Sequence, residues 1–223
     1  MTRQRPLLLG HRGARASVSV SENTFASFDL SLEHGCDGFE FDVRRTLDGV
    51  PVVCHDPTFR GVTLAGVNTR DLAAWQSQGF LPTLEEVLRR YGPLCFLDIE
   101  IKDAGLETRV LELLRLHPPQ RGYVVTSFLA EVLLQLREFD AATELGFLWD
   151  RPTSVWRDLP VSWALPEWRL LDAGLASGLK ESGKRVGTWT VNGPADMIRL
   201  ADLGAEILIS DDTVGLANAF PVS

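Results

Sequence analysis

Positive charge is in short supply. Of 223 residues, 22 are lysine or arginine and 30 are aspartate or glutamate, a formal net charge of −8. A bulk nucleic-acid binder neutralises phosphates with a surplus of basic side chains, so that class is excluded. A small phosphorylated ligand, which needs only a few local cations, is not. Cysteine is scarce too. Cys36, Cys54 and Cys95 are odd in number and widely spaced, with no CxxC, which argues against a disulfide framework or a structural zinc site. A reducing compartment is the simpler reading. Long apolar runs are missing. No stretch approaches the roughly 20 residues that span a bilayer, and three leucines before Gly10 fall short of a signal-peptide core. These absences read as a soluble, cytoplasmic protein. There is also no GxGxxG after the first apolar run, no Walker loop, no linker-like segment and no low-complexity tract. One domain over residues 1–223 is the expectation.

What is present is an ordinary globular composition, 45% hydrophobic and 23% charged, long enough for a large core. Short apolar runs alternate with helix-like stretches. Strands are expected at 7–10, 39–43, 95–101, 123–126, 144–148, 162–165, 186–191 and 206–210. Helical spacing marks 23–33, 105–116, 129–139, 170–182, 194–203 and 213–220, and a helix opens at Thr83, where Glu86 completes a capping-box pattern. After the second strand, Leu47-Asp48-Gly49 turns the chain back through 50–54, a hairpin. Eight strands alternating with helices predict a (β/α)8 TIM barrel with a β-hairpin extension after strand 2. An open doubly wound sheet is the alternative. The stretch 149–168, with four tryptophans and three prolines, gives the weakest pattern.

In a barrel, the chemistry lies at the C-terminal strand ends. Glu40 and Asp42 sit two apart, so they share a strand face, with Phe39, Phe41 and Val43 on the other. Such a pair marks either a cation held between two carboxylates or a solvated edge strand. Asp98, Glu100 and Lys102 likewise share a face opposite Leu97, Ile99 and Ile101. Three carboxylates from neighbouring strands, Glu40, Asp42 and Glu100, suit one hard divalent cation, Mg²⁺ or Ca²⁺. A Lys102–Glu100 salt bridge that only stabilises is the other reading. His11 ends the first strand. His55 ends the hairpin's return arm, where antiparallel pairing sets it opposite 41–42. Two imidazoles beside a cation suit general acid–base work. Arg12 and Lys102 would cradle a phosphate. Trp189 would offer either a flat wall or a barrel-packing aromatic. His34 and His117 fall at helix ends, where a cation suits the dipole.

Seven segments then occur in a recognisable order. They are "HRG" at 11–13, "ENT" at 22–24, "GFEFDVRRTLDGVPVVCHD" at 38–56, "LPTLEEVL" from Leu81, "IEIK" from Ile99, "SF" at 127–128 and "WTVN" at 189–192. With these, the chain resembles the glycerophosphodiester phosphodiesterase family. The resemblance implies a (β/α)8 barrel with one divalent metal. It implies Glu40, Asp42 and Glu100 as metal ligands and His11 and His55 as the acid–base pair. Arg12, Lys102 and Trp189 would contact substrate, and Glu22 would support either the metal or a substrate hydroxyl. It implies hydrolysis of a glycerophosphodiester to glycerol 3-phosphate and an alcohol, in lipid and glycerol metabolism. Three departures stand out. Ser21 replaces the family's proline before "ENT", no proline closely follows Ser210-Asp211-Asp212, and the segment 57–80 is short where many members carry a helical insertion that borders the substrate, which leaves the alcohol open. Two other readings keep the same pocket. A lysophospholipid-cleaving enzyme would need exposed apolar surface at the mouth, for which the 149–168 tryptophans are the candidates. A non-catalytic binding barrel would keep the metal and phosphate pocket alone.

Overall fold

Period-two alternation in "GFEFDVRR" and "FLDIEI" requires two covered faces, and the chain provides them by closing a sheet on itself. The computed structural model describes residues 5–221. Eight strands form the barrel: β1 (Leu7–His11), β2 (Gly38–Arg45), β3 (Phe96–Ile101), β4 (Tyr123–Ser127), β5 (Leu145–Trp149), β6 (Trp163–Pro166), β7 (Arg185–Thr188) and β8 (Ile207–Ser210). Each runs parallel to its neighbours, and β1 closes the ring by pairing with both β8 and β2. The TIM-barrel expectation is met.

Outward-facing Phe39, Phe41, Val43, Leu97, Ile99 and Ile101 are fully buried against the helices. Phe39 stacks on Phe28 of helix Phe25–Glu33 with centroids 4.1 Å apart, and Tyr91 of helix Leu84–Tyr91 meets Phe39 edge-on at 5.0 Å. Burying each such ring contributes roughly 1.5–3 kcal/mol. A second cluster, including Leu9, Phe96, Val124, Trp163, Leu165 and Ile207, fills the barrel interior. That plug leaves the inward residues nearer the strands' C-terminal ends free for polar work.

The hairpin is present. Its return arm, Pro51–Val53, pairs antiparallel with β2 in the register Val43↔Val53. Residues 57–80 then form a second small hairpin, Thr58–Phe59 with Val62–Thr63, followed by short helical turns. They cover a satellite core of Val52, Cys54, Leu64, Leu72 and Leu81. Several helices begin later than their apolar spacing suggests. Thr24 caps the first, and Asp172 caps Ala173–Glu181, so Leu170 and Leu171 lie outside it. After β5 there is no α-helix. Pro152 and Pro160 bracket a single 3₁₀ turn, Val155–Arg157, and buried Trp156 fills the space with its Nε1 donating to the Thr153 carbonyl at 3.1 Å. His34 and His117 do sit at helix C-termini, held by Thr213 and Glu85. The three cysteines are buried free thiols. No helix among the described residues is long and apolar enough to cross a membrane.

Candidate active site

Register decides which carboxylates meet. His11 lies beside Glu40, Glu40 beside Asp98, and Asp42 beside Glu100 across β1, β2 and β3. One oxygen from each of Glu40, Asp42 and Glu100 lies within 4.8 Å of the others, and all three residues are buried. Burial, aggravated by Asp42 and Glu100, pushes the Glu40 carboxyl well up. Burial also lifts Glu100, to about 8, despite Lys102 beside it. Asp42 is as deeply buried, yet Lys102, Arg12 and a hydrogen bond from Asn23 hold it below the usual carboxylate range. Three buried carboxylates that crowd one another this way fit a cation among them. The Glu40 side chain shows the same need: Oε2 accepts from the Arg12 backbone N–H at 3.0 Å, while buried Oε1 has no hydrogen-bond partner among the described residues. Asp98 lies one layer deeper, bonded by the Thr126 hydroxyl and lifted by burial to about 7.

Lys102 Nζ stands 2.6 Å from Glu100 Oε1 and 3.1 Å from Asp42 Oδ1. The salt-bridge reading of Lys102 therefore coexists with a charged cluster that faces a cavity.

The histidines are held alike. His11 Nδ1 is 2.7 Å from Asp211 Oδ1. Burial opposes the Asp211 charge, but hydrogen bonds from His11, Asn192 and Arg15 hold its carboxyl below the usual range. A carboxylate only accepts, so Nδ1–H donates and His11 Nε2 is left to the cavity, 3.9 Å from Glu40 Oε2. His55 Nδ1 is 2.8 Å from Asp56 Oδ1, which leaves its Nε2 free in the same way. Burial holds the His55 imidazole below its ordinary value, against the pull of Asp42. The Cys54 N–H donates to the Asp42 carbonyl at 3.0 Å, so His55 does follow the position opposite Asp42.

The loop between "HRG" and "ENT" has a clear local logic. Arg12 takes a left-handed φ of +53° and Gly13 one of +81°, where a Cβ would meet the Ser27 carbonyl at 2.6 Å. The turn aims the Arg12 guanidinium at Asp42 (3.2 Å) and Glu22 (2.9 Å). Asn23 returns to donate to Asp42, and Thr24 caps the helix. Glu22 also accepts from Arg15 at 2.7 Å.

A cavity of about 200 Å³ gathers His11, Arg12, Glu40, His55, Glu100, Lys102 and Trp189 at its walls. Asp42 lies just beneath, almost wholly buried, and Glu22 lines an adjoining depression instead. The Trp189 indole donates to the Leu165 carbonyl at 2.9 Å and meets Phe128 edge-on at 5.3 Å, so it both packs the barrel and walls the cavity. Sequence reasoning passed over Asp211, Arg15, Asn192 and Phe128. Asn192 and Phe128 lay inside "WTVN" and "SF". Asp211 directly follows β8, a strand-end position that the barrel rule could have flagged. Trp149, Trp156 and Trp163 are buried, 5%, 2% and 1% exposed, and Trp168 is half-buried under Arg169. With three of the four buried, they offer little apolar surface, which weakens the lysophospholipid reading.

The sequence model of the Glycerophosphoryl diester phosphodiesterase family matches residues 11–214. The chain is 28% identical over 236 residues to the Glycerophosphodiester phosphodiesterase of Caldanaerobacter subterraneus subsp. tengcongensis, covering 95% of this chain and 96% of that protein. Among solved structures, an Oleispira antarctica phosphodiesterase in complex with the product sn-glycerol-3-phosphate is 25% identical, with a TM-score of 0.83 and 96% of each chain covered. The glycerophosphodiester phosphodiesterase of Thermotoga maritima shares the fold at a TM-score of 0.83 and 23% identity, covering 96% of this chain and 98% of that one.

Proposed function

The chain belongs to the glycerophosphoryl diester phosphodiesterase family, whose members are phosphoric diester hydrolases, and from that premise we propose that it cleaves glycerophosphodiesters to glycerol 3-phosphate and an alcohol with the help of one divalent cation. The observation that carries this reading is the pair of imidazoles, His11 and His55, each pinned through Nδ1 by a carboxylate and each lining the cavity that holds Glu40 and Glu100.

Each residue has a part. Glu40, Asp42 and Glu100 would hold Mg²⁺ or Ca²⁺, which when bound supplies positive charge to a phosphate oxygen. Displacement at phosphorus needs a proton removed from the attacking oxygen and one given to the departing oxygen. One imidazole, neutral with a free Nε2, serves as that base, and the other, protonated at Nε2 as well as Nδ1, serves as the acid. The same roles serve water or the substrate's own 2-hydroxyl as nucleophile. Arg12 and Lys102 pair with the non-bridging phosphate oxygens, while Glu22 holds Arg12 in place. Trp189 lies against the glycerol.

The test is release of glycerol 3-phosphate from glycerophosphocholine and glycerophosphoethanolamine, with EDTA and then with Mg²⁺, Ca²⁺ or Mn²⁺ restored. EDTA should stop release and at least one metal should restore it. Folded protein that releases nothing with any metal overturns the reading.

A further inference from the structure

His55 is a shared wall. It lines the 200 Å³ cavity and also a second depression of about 250 Å³ on its other side. That depression is bounded by Glu22, Asp56, Phe59, Arg60 and Phe80 among others. The first cavity is walled by the carboxylates, Lys102 and Trp189, and is sized for a phosphate and a glycerol. The remaining half of a diester would therefore extend past His55 into the second.

The charges in this depression are unequal in their partners. Glu22 already accepts from Arg12 and Arg15, and Asp56 accepts from His55. Arg60 has no hydrogen bond or ion pair with any described residue. Its contacts are two aromatic faces, with the guanidinium carbon 4.7 Å from the Phe80 ring centre and 5.3 Å from that of Phe59. Trp75 meets Phe59 at 5.2 Å and props it in place. The faces that would attract a quaternary ammonium are thus already covered by a cation.

The backbone beneath Arg60 is unusual. Thr58–Phe59 and Val62–Thr63 pair across a two-residue loop, with Thr58 opposite Thr63 and Phe59 opposite Val62. Arg60 and Gly61 both have positive φ, +48° and +83°. This is the pattern of a type I′ turn, which favours asparagine, aspartate or glycine at its first position. An arginine there bears conformational strain that those residues avoid.

We infer that the depression receives the leaving alcohol, and that Arg60 selects alcohols carrying an anionic group, carboxylate or phosphate, over those carrying a quaternary ammonium. The inference rests on the proposed diesterase activity. Arg60 offers a guanidinium held over two ring faces at the rim of the site, and the two carboxylates that share the depression are already paired elsewhere.

The test compares kcat/KM for glycerophosphoserine, glycerophosphoglycerol phosphate and glycerophosphocholine in the metal-loaded protein. The variants are Arg60→Asn and Arg60→Asp, both suited to the turn, and Arg70→Asn. Arg70 is exposed in the same segment, 3.7 Å from Asp71 and outside the depression, so it controls for loss of net charge. In Arg60→Asn the ratio of anionic to choline diester should fall about tenfold, the scale of one charged hydrogen bond, and in Arg60→Asp it should fall further. Arg70→Asn should leave the ratio unchanged. A fall with only one anionic diester supports the subsite and identifies its ligand as carboxylate or phosphate. Ratios that stay within about twofold in both Arg60 variants overturn the subsite. Wild-type protein that cleaves none of the three diesters overturns the activity itself.

Discussion

His11 and His55 arrive at one cavity by different routes. His55 takes its carboxylate from the next residue, Asp56, whereas His11 takes its carboxylate from Asp211, at the far end of the chain and across the β1–β8 seam. Asn192 fixes Asp211 from both sides, donating to Oδ2 at 3.0 Å and accepting the Asp211 backbone N–H at 2.9 Å. Asp211 is thus a positioning residue that selects the His11 tautomer. Replacing it by asparagine offers Nδ1 an N–H in place of an acceptor and puts the proton on Nε2. Asp211→Asn should lower kcat by roughly 10–100-fold with little change in KM, and should shift the pH profile; His11→Ala should lower kcat by about 10²–10⁴-fold. A melting temperature that falls while kcat and the pH profile hold would make Asp211 merely structural. Much of this candidate site was legible beforehand, because strand parity and strand-end position group His11, Glu40, Asp42, Asp98, Glu100 and Lys102, from which only the register sets Asp98 apart as the deeper carboxyl. The Asp211 link was not, since no local pattern pairs residues 200 positions apart.

Elements were legible where propensity and packing agree. In β2 and β3, bulky apolar residues alternate with charged ones, and a one-residue slip would exchange Phe41 for Asp42 in the layer beneath the helices. Boundaries were less legible, since apolar spacing runs past the polar residue that caps a helix, as at Leu170 and Leu171 before Asp172. After β5, where the sequence offered no helical spacing, the chain makes only a 3₁₀ turn between two prolines, and Trp156 supplies the buried area. The turn that follows helix Ala130–Phe139 shows how one side chain ends an element. Asp140 accepts from the backbone N–H groups of Ala142 and Thr143 and from Arg115, and these bonds, Ala142's first, hold its carboxyl below the usual range. A depressed carboxyl stabilises the fold above its ordinary pKa and loses that effect as pH falls through the folded value. Asp140→Ala should therefore lower the melting temperature by about 1–3 °C near neutral pH, with the gap closing in acid. A gap independent of pH would show that the charge is not what matters.

At the scale of the whole molecule, the barrel concentrates like charge in its buried interior. Glu40, Asp42, Asp98 and Glu100 project inward above a plug of Phe96, Val124 and Trp163, and the described residues oppose them with Arg12 and Lys102. Two cations stand against four carboxyls in the interior, and burial first, then the crowding of like charge, lifts Glu40 and Glu100. A divalent ion held there, as the proposed function requires, would stabilise the entire closed sheet, since the carboxylates come from strands that unfolding separates. At about 100 times its dissociation constant such an ion contributes roughly 2.7 kcal/mol, or a rise of about 5–10 °C in melting temperature for a domain of this size. Glu40→Gln should abolish most of that rise. With EDTA present, the same substitution should melt above the wild type, because it removes a buried carboxyl crowded by Asp42 and Glu100. The two effects have opposite signs, so a single pair of melting curves for each protein separates them. A Glu40→Gln variant that keeps the full metal-dependent rise would place the ion elsewhere. One that loses the rise and melts higher without metal would tie the barrel's stability and its chemistry to the same three side chains.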